Sequence, residues 1–184
     1  VVTDLDKAVG AIEAAVQEAQ LTAGFEVTDV VVGIAGDHIR SVNSRGVVAV
    51  SREDNEIITE DVERVIDAAK AIALPIDREL LHVIPQEYIV DDQKGIKNPV
   101  GISGVRLEGE VHIVTGAVTS AQNIIRSVDK AGLSAKTLVL EPLASSYAVL
   151  DDNEKELGVA LIDVGGGTTD ISLFYEGAIR NTAV

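Results

Sequence analysis

The chain has 184 residues, 46% of them hydrophobic but only 3% aromatic, and no cysteine. Its core must therefore be aliphatic, and disulfide frameworks, thiolate nucleophiles and cysteine metal sites are excluded, a pattern that suits a reducing cytoplasm. With 30 Asp+Glu against 15 Lys+Arg the net charge is −15, which argues against nucleic acid and against an anionic membrane surface, because both demand clustered cations.

Leu5, Ala8, Val9, Ile12, Ala15, Val16 and Ala19 recur at helical spacing, with Thr3 or Asp4 as N-cap and Gly24 as terminator. Val30 to Ile34 reads as a short buried strand, an opening in α/β style. From Asp37 to His112 the texture changes. Ile39–Val42 and Val47–Val50 read as two strands about the turn-like Asn43-Ser44-Arg45-Gly46. Thr59 is the expected cap of a helix whose first turn carries Glu60 and Asp61 and whose inner face is Val62, Val65, Ile66, Ala69 and Ile72. Leu80–Ile84 and Tyr88–Val90 are strands broken by Pro85 at an edge or bulge, Lys94–Gly104 is a loop, and Val105 to Ile113 is a further strand.

The α/β style then returns. Ala121, Ile124, Ile125 and Val128 define a helix capped by Thr119 or Ser120 and closed by Gly132; Thr137–Leu140 is a strand; Pro142 opens the next helix. Val159–Ile162 leads through Asp163 into three consecutive glycines and a second strand, Ile171–Tyr175. The fold class is α/β, a lobe interrupted by an inserted small α+β unit. No apolar run approaches the roughly 20 residues that span a bilayer. The chain opens at Val1, contains no methionine and stops inside an expected strand, so a piece of a longer protein is expected.

The chemistry concentrates in Asp163-Val164-Gly165-Gly166-Gly167-Thr168-Thr169-Asp170. Glycines leave main-chain N–H groups unshielded, so such a turn can curl into a concavity for anionic oxygens. Asp163, at the mouth of a strand, is placed to hold Mg²⁺ directly or through water; Thr168, Thr169 and Asp170 add hydroxyls and a second carboxylate. The alternative is an ordinary flexible glycine turn. Glu141-Pro142 lies at a strand-to-helix junction, where ligands sit in open α/β sheets, so Glu141 and Asp163 could face one cleft and orient a water toward a γ-phosphate. Glu141 could equally serve only the start of its helix. His38, His82 and His112 lack metal-site spacing, Ser145-Ser146 lacks a nucleophile elbow, and no Walker-type motif occurs.

The hairpin resembles the second phosphate motif of the actin/Hsp70/sugar-kinase superfamily, and Glu141-Pro142-Leu143-Ala144 resembles the segment before it in the Hsp70 and MreB branches. Leu81–Tyr88, Asp91, Gly95–Gly101 and Gly104–Leu107 are more selective; with Leu143–Tyr147 and Glu156–Val159 they resemble the bacterial cell-division FtsA family along essentially the whole chain. That resemblance implies an actin-like (ribonuclease H-like) lobe. Residues 1–36 and 113–156 would form subdomain 1A, 37–112 the inserted subdomain 1C (an SHS2 domain) and 157–184 the start of 2A.

It further implies that Asp163 holds Mg²⁺ through water, that Gly165, Gly166, Gly167, Thr168 and Thr169 contact the phosphates of ATP, and that Glu141 and Asp170 lie near the attacking water as catalytic groups. Family members polymerise as actin-like filaments, with 1C in the contacts; they tether the FtsZ ring to the inner face of the membrane and recruit later division proteins. By the same resemblance a first phosphate motif belongs before Val1, and the adenosine-binding, FtsZ-binding and membrane-binding parts lie beyond Val184. This chain alone is accordingly expected to hold little or no ATP, to be inactive as an ATPase and to make no membrane contact. The alternatives are an ATPase of the Hsp70 or sugar-kinase class, or a pilus-assembly ATP-binding protein with a 1C-like insertion.

Overall fold

A computed structural model describes residues 2–184. Helix α1, Leu5–Ala23, starts where the Asp4 side chain accepts from Lys7 N–H at 3.1 Å and ends at Gly24, whose φ of 76° is the left-handed turn-off glycine adopts freely. Its apolar stripe is only half-buried and packs on a later helix, residues 118–130. Strand β1, Asp29–Ile34, follows.

Strand β2, Arg40–Ala49, is one continuous strand, so the turn expected at Asn43–Gly46 is absent. The reason is tertiary. Gly46 lies directly beneath helix α2, Thr59–Lys70, and a Cβ there would collide with Val65 O and Ala69 N. A glycine needed for close approach was read as a turn. Helix α2 begins at Thr59 as expected, but its N-cap is Ile58, whose N–H donates to Asp61 Oδ2 at 3.1 Å. Val65 and Ala69 are fully buried, flanked by Val62, Ile66 and Ile72.

Strand β3, Arg78–Val90, runs through Pro85 without a break, with register shifts between Leu80 and His82 and between Pro85 and Glu87. Proline is tolerated because β4, Gln93–Ile96, pairs with β3 only near Tyr88 and Val90, leaving the Pro85 flank open. β4 itself replaces part of the loop expected from Lys94. Strand β5, Arg106–Ala117, completes a four-stranded antiparallel sheet of order β2-β5-β3-β4.

Helix α3, Val118–Lys130, has Ala117 as N-cap with no side-chain cap, correcting the expected Thr119 or Ser120. Strand β6, Ser134–Leu140, pairs in parallel with β1, bringing Ile34 beside Leu140 at their carboxyl ends. Helix α4, Glu141–Val149, has Pro142 in its first turn. Helix α5, Asp152–Leu157, went unforeseen, although Asp151 and Glu154 form a reciprocal capping box. Strands β7, Val159–Val164, β8, Thr169–Tyr175, and β9, Ala178–Ala183, make an antiparallel sheet of order β7-β8-β9.

Three aliphatic clusters hold the units. One joins α2 to the inserted sheet (Ile57, Val65, Leu107), a second joins that sheet to β1, α3 and β6 (Ile34, Ile39, Val114, Leu140), and a small third (Ala69, Val111, Ile113) sits between α2 and β5. Among the described residues no helix is long and apolar enough to cross a membrane.

Candidate functional site

Residues alternate sides along a strand, and Asp163 pairs with Asp170 across β7 and β8, so both carboxylates project from one face. That face turns toward α4. Ser145, on α4, donates to Asp163 Oδ2 at 3.2 Å, and Thr168 Oγ1 donates to Asp170 Oδ2 at 3.0 Å. Asp170 is 5% exposed, and its Oδ1 is buried without a partner among the described residues.

Glu141 opens α4 at the carboxyl end of β6 and lies across Gly33 at the carboxyl end of β1. A Cβ at Gly33 would stand 2.8 Å from Glu141 Cγ, so only glycine lets the side chain lie there. Burial raises the Glu141 carboxyl above its ordinary value, and the nearby charges of Asp170 and then Asp163 raise it further. Glu141 therefore lies within electrostatic reach of both aspartates, about a crevice between α4 and the β7–β8 face. Glu141 also lines a cleft of about 450 Å³ together with Lys7, Gly33, Ala35, His38 and Ser120. His38 opens on it with both ring nitrogens buried and unpartnered among the described residues, and burial lowers its pKa.

At the glycine turn Gly165 N–H donates to Thr168 O at 3.0 Å, closing the hairpin. None of the three glycines has a left-handed φ, and a Cβ on Gly166 or Gly167 would meet nothing within 4 Å. Neither backbone conformation nor a neighbour in this chain demands glycine there, so the bare backbone is left facing open space. Thr169 sits on the opposite face of β8 from Asp170 and is exposed, so its hydroxyl points away from the acids. Among the described residues no three His, Asp or Glu side chains converge as a direct metal cage. A cation held by Asp163 would keep most of its water, as Mg²⁺ does, and the unpartnered Asp170 oxygen fits the same wet site.

The remaining histidines are structural. His82 Nε2 accepts from Leu140 N–H at 2.9 Å. His112 is 1% exposed, its Nδ1 meets Asn43 Oδ1 at 2.6 Å, and burial lowers its pKa to about 4. Sequence reading passed over Gly33 and Ser145. Gly33, closing a valine-rich strand, carried the signal of a close approach; Ser145 carried none, because its partner is reached only through the fold.

Residues 36–115 match the family described as the SHS2 domain inserted in FtsA. The chain is 52% identical over 184 residues to cell division protein FtsA of Pseudomonas aeruginosa and 49% identical over 183 to that of Neisseria meningitidis; each alignment takes in all of this chain and 44% of the relative. The chain belongs to the FtsA family. It spans less than half the length of the FtsA relatives it matches. Its fold is the actin-like α/β lobe with an inserted SHS2 unit, as expected from the resemblance. A solved type IV pilus biogenesis complex, PilM–PilN, covers the whole chain and 48% of its own with a TM-score of 0.64. At 16% identity that likeness is one of fold alone.

Proposed function

We propose that this FtsA segment forms one wall of an ATP site in an actin-like protein of cell division. What supports the reading is the pairing of Asp163 with Asp170 across β7 and β8, within electrostatic reach of Glu141, beside a turn whose glycines face open space. The main-chain N–H groups of Gly166, Gly167 and Thr168 donate to the β- and γ-phosphate oxygens, Gly165 N–H being held by Thr168 O, and Asp163, oriented by Ser145, holds Mg²⁺ through water. Mg²⁺, when bound, would offset phosphate charge. Glu141, with its raised pKa, takes a proton from a water that Asp170 helps orient. Hydrolysis is a slow accompaniment. The main use of the nucleotide is to set the arrangement of the lobes for self-assembly into filaments, with the SHS2 unit in the contacts. In that role the whole protein links FtsZ to the inner face of the membrane and recruits later division proteins.

The test is Mg-ATP binding by the whole protein that carries this segment. Asp163→Asn should weaken Mg-ATP at least about tenfold while Mg-free ADP binding barely changes. Equal loss for both nucleotides, or no loss, removes the Mg²⁺ role. The chain by itself presents a single glycine-rich phosphate turn, and positioning from one side is worth little. Calorimetry on it should therefore show no micromolar Mg-ATP binding.

A further inference from the structure

The sheet that carries the phosphate turn is fastened at its far end to the inserted unit, and the fastening has an unusual chemistry. Gln86 sits at the bulge of β3, is 4% exposed, and its Nε2 donates to Ile179 O at 2.7 Å. Lys97, in the loop after β4, donates to Glu176 O. Asn43 Nδ2 donates to Arg180 O and Ser41 Oγ to Thr182 O, each at 3.4 Å, and His112 Nε2 meets Thr182 Oγ1 at 3.5 Å. Four of these five contacts grip main-chain carbonyls of the β8–β9 turn and β9. Side chains that hold a backbone fix where a strand lies, whatever its own side chains are.

The same face of the β7–β9 sheet runs from this fastening to the crevice. Asp170, Ser172 and Phe174 are buried along it, and Thr182 lies opposite Ser172. Between the two ends Ser172 Oγ has no partner among the described residues. The sheet is gripped at α4, through Ser145 and Asp163, and at the inserted unit. β8 is roughly 20 Å long. A tilt of about 3° at the fastened end therefore moves the glycine turn by about 1 Å, the scale at which misplacement is felt in binding and catalysis.

We propose that Gln86 and Lys97 of the SHS2 unit are positioning residues for the phosphate turn: they fix the tilt of the β7–β9 sheet and so the distance between Gly165–Gly167 and Glu141. The proposal rests on the reading of that turn as a phosphate site, and deepens it by giving the inserted unit a role in the same site. Neither residue touches the nucleotide.

The decisive variants are Gln86→Met, which keeps the volume and removes the donor, Lys97→Ala, their combination, and Lys97→Arg as the conservative control. Backbone N–H residual dipolar couplings on this chain report the relative orientation of the sheets. In the unmodified chain and in Lys97→Arg, β5 and β8 should obey one alignment tensor. In the double variant the β7–β9 sheet should need its own, and the amide shifts of Gly165–Thr168 should move although both substitutions lie at the other end of the sheet. A single tensor with unmoved glycine shifts overturns the proposal, even if the variant melts earlier, because that would be a purely structural role. In the whole protein the double variant should bind Mg-ATP about tenfold more weakly, with Lys97→Arg near the unmodified value. Should the unmodified whole protein bind no ATP, the nucleotide reading falls while the coupling result still stands on its own.

Discussion

Burial, together with the charges of Asp170 and Asp163, holds the Glu141 proton more tightly than in an unfolded chain. A glutamate whose folded pKa is raised weakens the fold as pH rises, because it must ionise against that environment. Glu141→Gln should therefore be more stable than the unmodified chain at pH 7.5, by up to about 1 kcal/mol once solvent screening of this partly exposed group is allowed for. The gain should shrink as pH falls toward the ordinary value of 4.5, where the glutamate is protonated and resembles glutamine. Urea midpoints at the two pH values check this; a variant less stable at pH 7.5 contradicts that environment. His112 works in the other direction. Its unfolded form protonates near 6.5, but the buried ring resists until about 4. Acidification through that window should cost the fold up to roughly 3 kcal/mol. His112→Gln, whatever its stability at pH 7, should lose less than the unmodified chain between pH 6.5 and 4.

Among the elements, α2 on the inserted sheet shows most plainly how tertiary contact overrides local signals. Gly46→Ala would put a methyl into Val65 O and Ala69 N and should destabilise the chain by about 3 kcal/mol, read from urea unfolding. If Asn43–Gly46 were a surface turn the same change would be nearly neutral. The helices α1 and α2 were legible because apolar spacing is local, as are the two caps of α1, and so was the hairpin, whose reactive groups lie within one motif. Strand continuity through Gly46 and Pro85 was not legible. Both residues read as breakers until α2 and the short reach of β4 are known. The crevice was half legible: Asp163 and Asp170 follow from strand alternation, but the seat of Glu141 over Gly33 depends on the parallel pairing of β1 with β6, which nothing local encodes. The fastening of β9 by Gln86 and Lys97 joins residues far apart in the chain; both lie in segments that carried the family resemblance, but nothing local pointed to their partners.

For the molecule as a whole, the face of the β7–β9 sheet opposite the crevice matters most. Alternation puts Ile162, Val164, Ile171, Leu173 and Tyr175 together there, and each is at least 39% exposed. A contiguous apolar sheet face of this kind drives association, while a net charge of −15 spread over the chain drives copies apart. Salt decides between them. Raising ionic strength from about 0.01 M to about 0.15 M shortens the screening length from about 30 Å to about 8 Å, weakening the repulsion and leaving apolar contact intact. Sedimentation velocity should accordingly show this chain monomeric at low salt and associating as salt rises. Leu173→Lys separates the two forces. It lowers the net negative charge by one, so if charge alone governed assembly the variant would associate more readily. If the sheet face governs it, an ammonium in the middle of the patch should abolish the salt-induced association, and greater association by the variant would rule that face out.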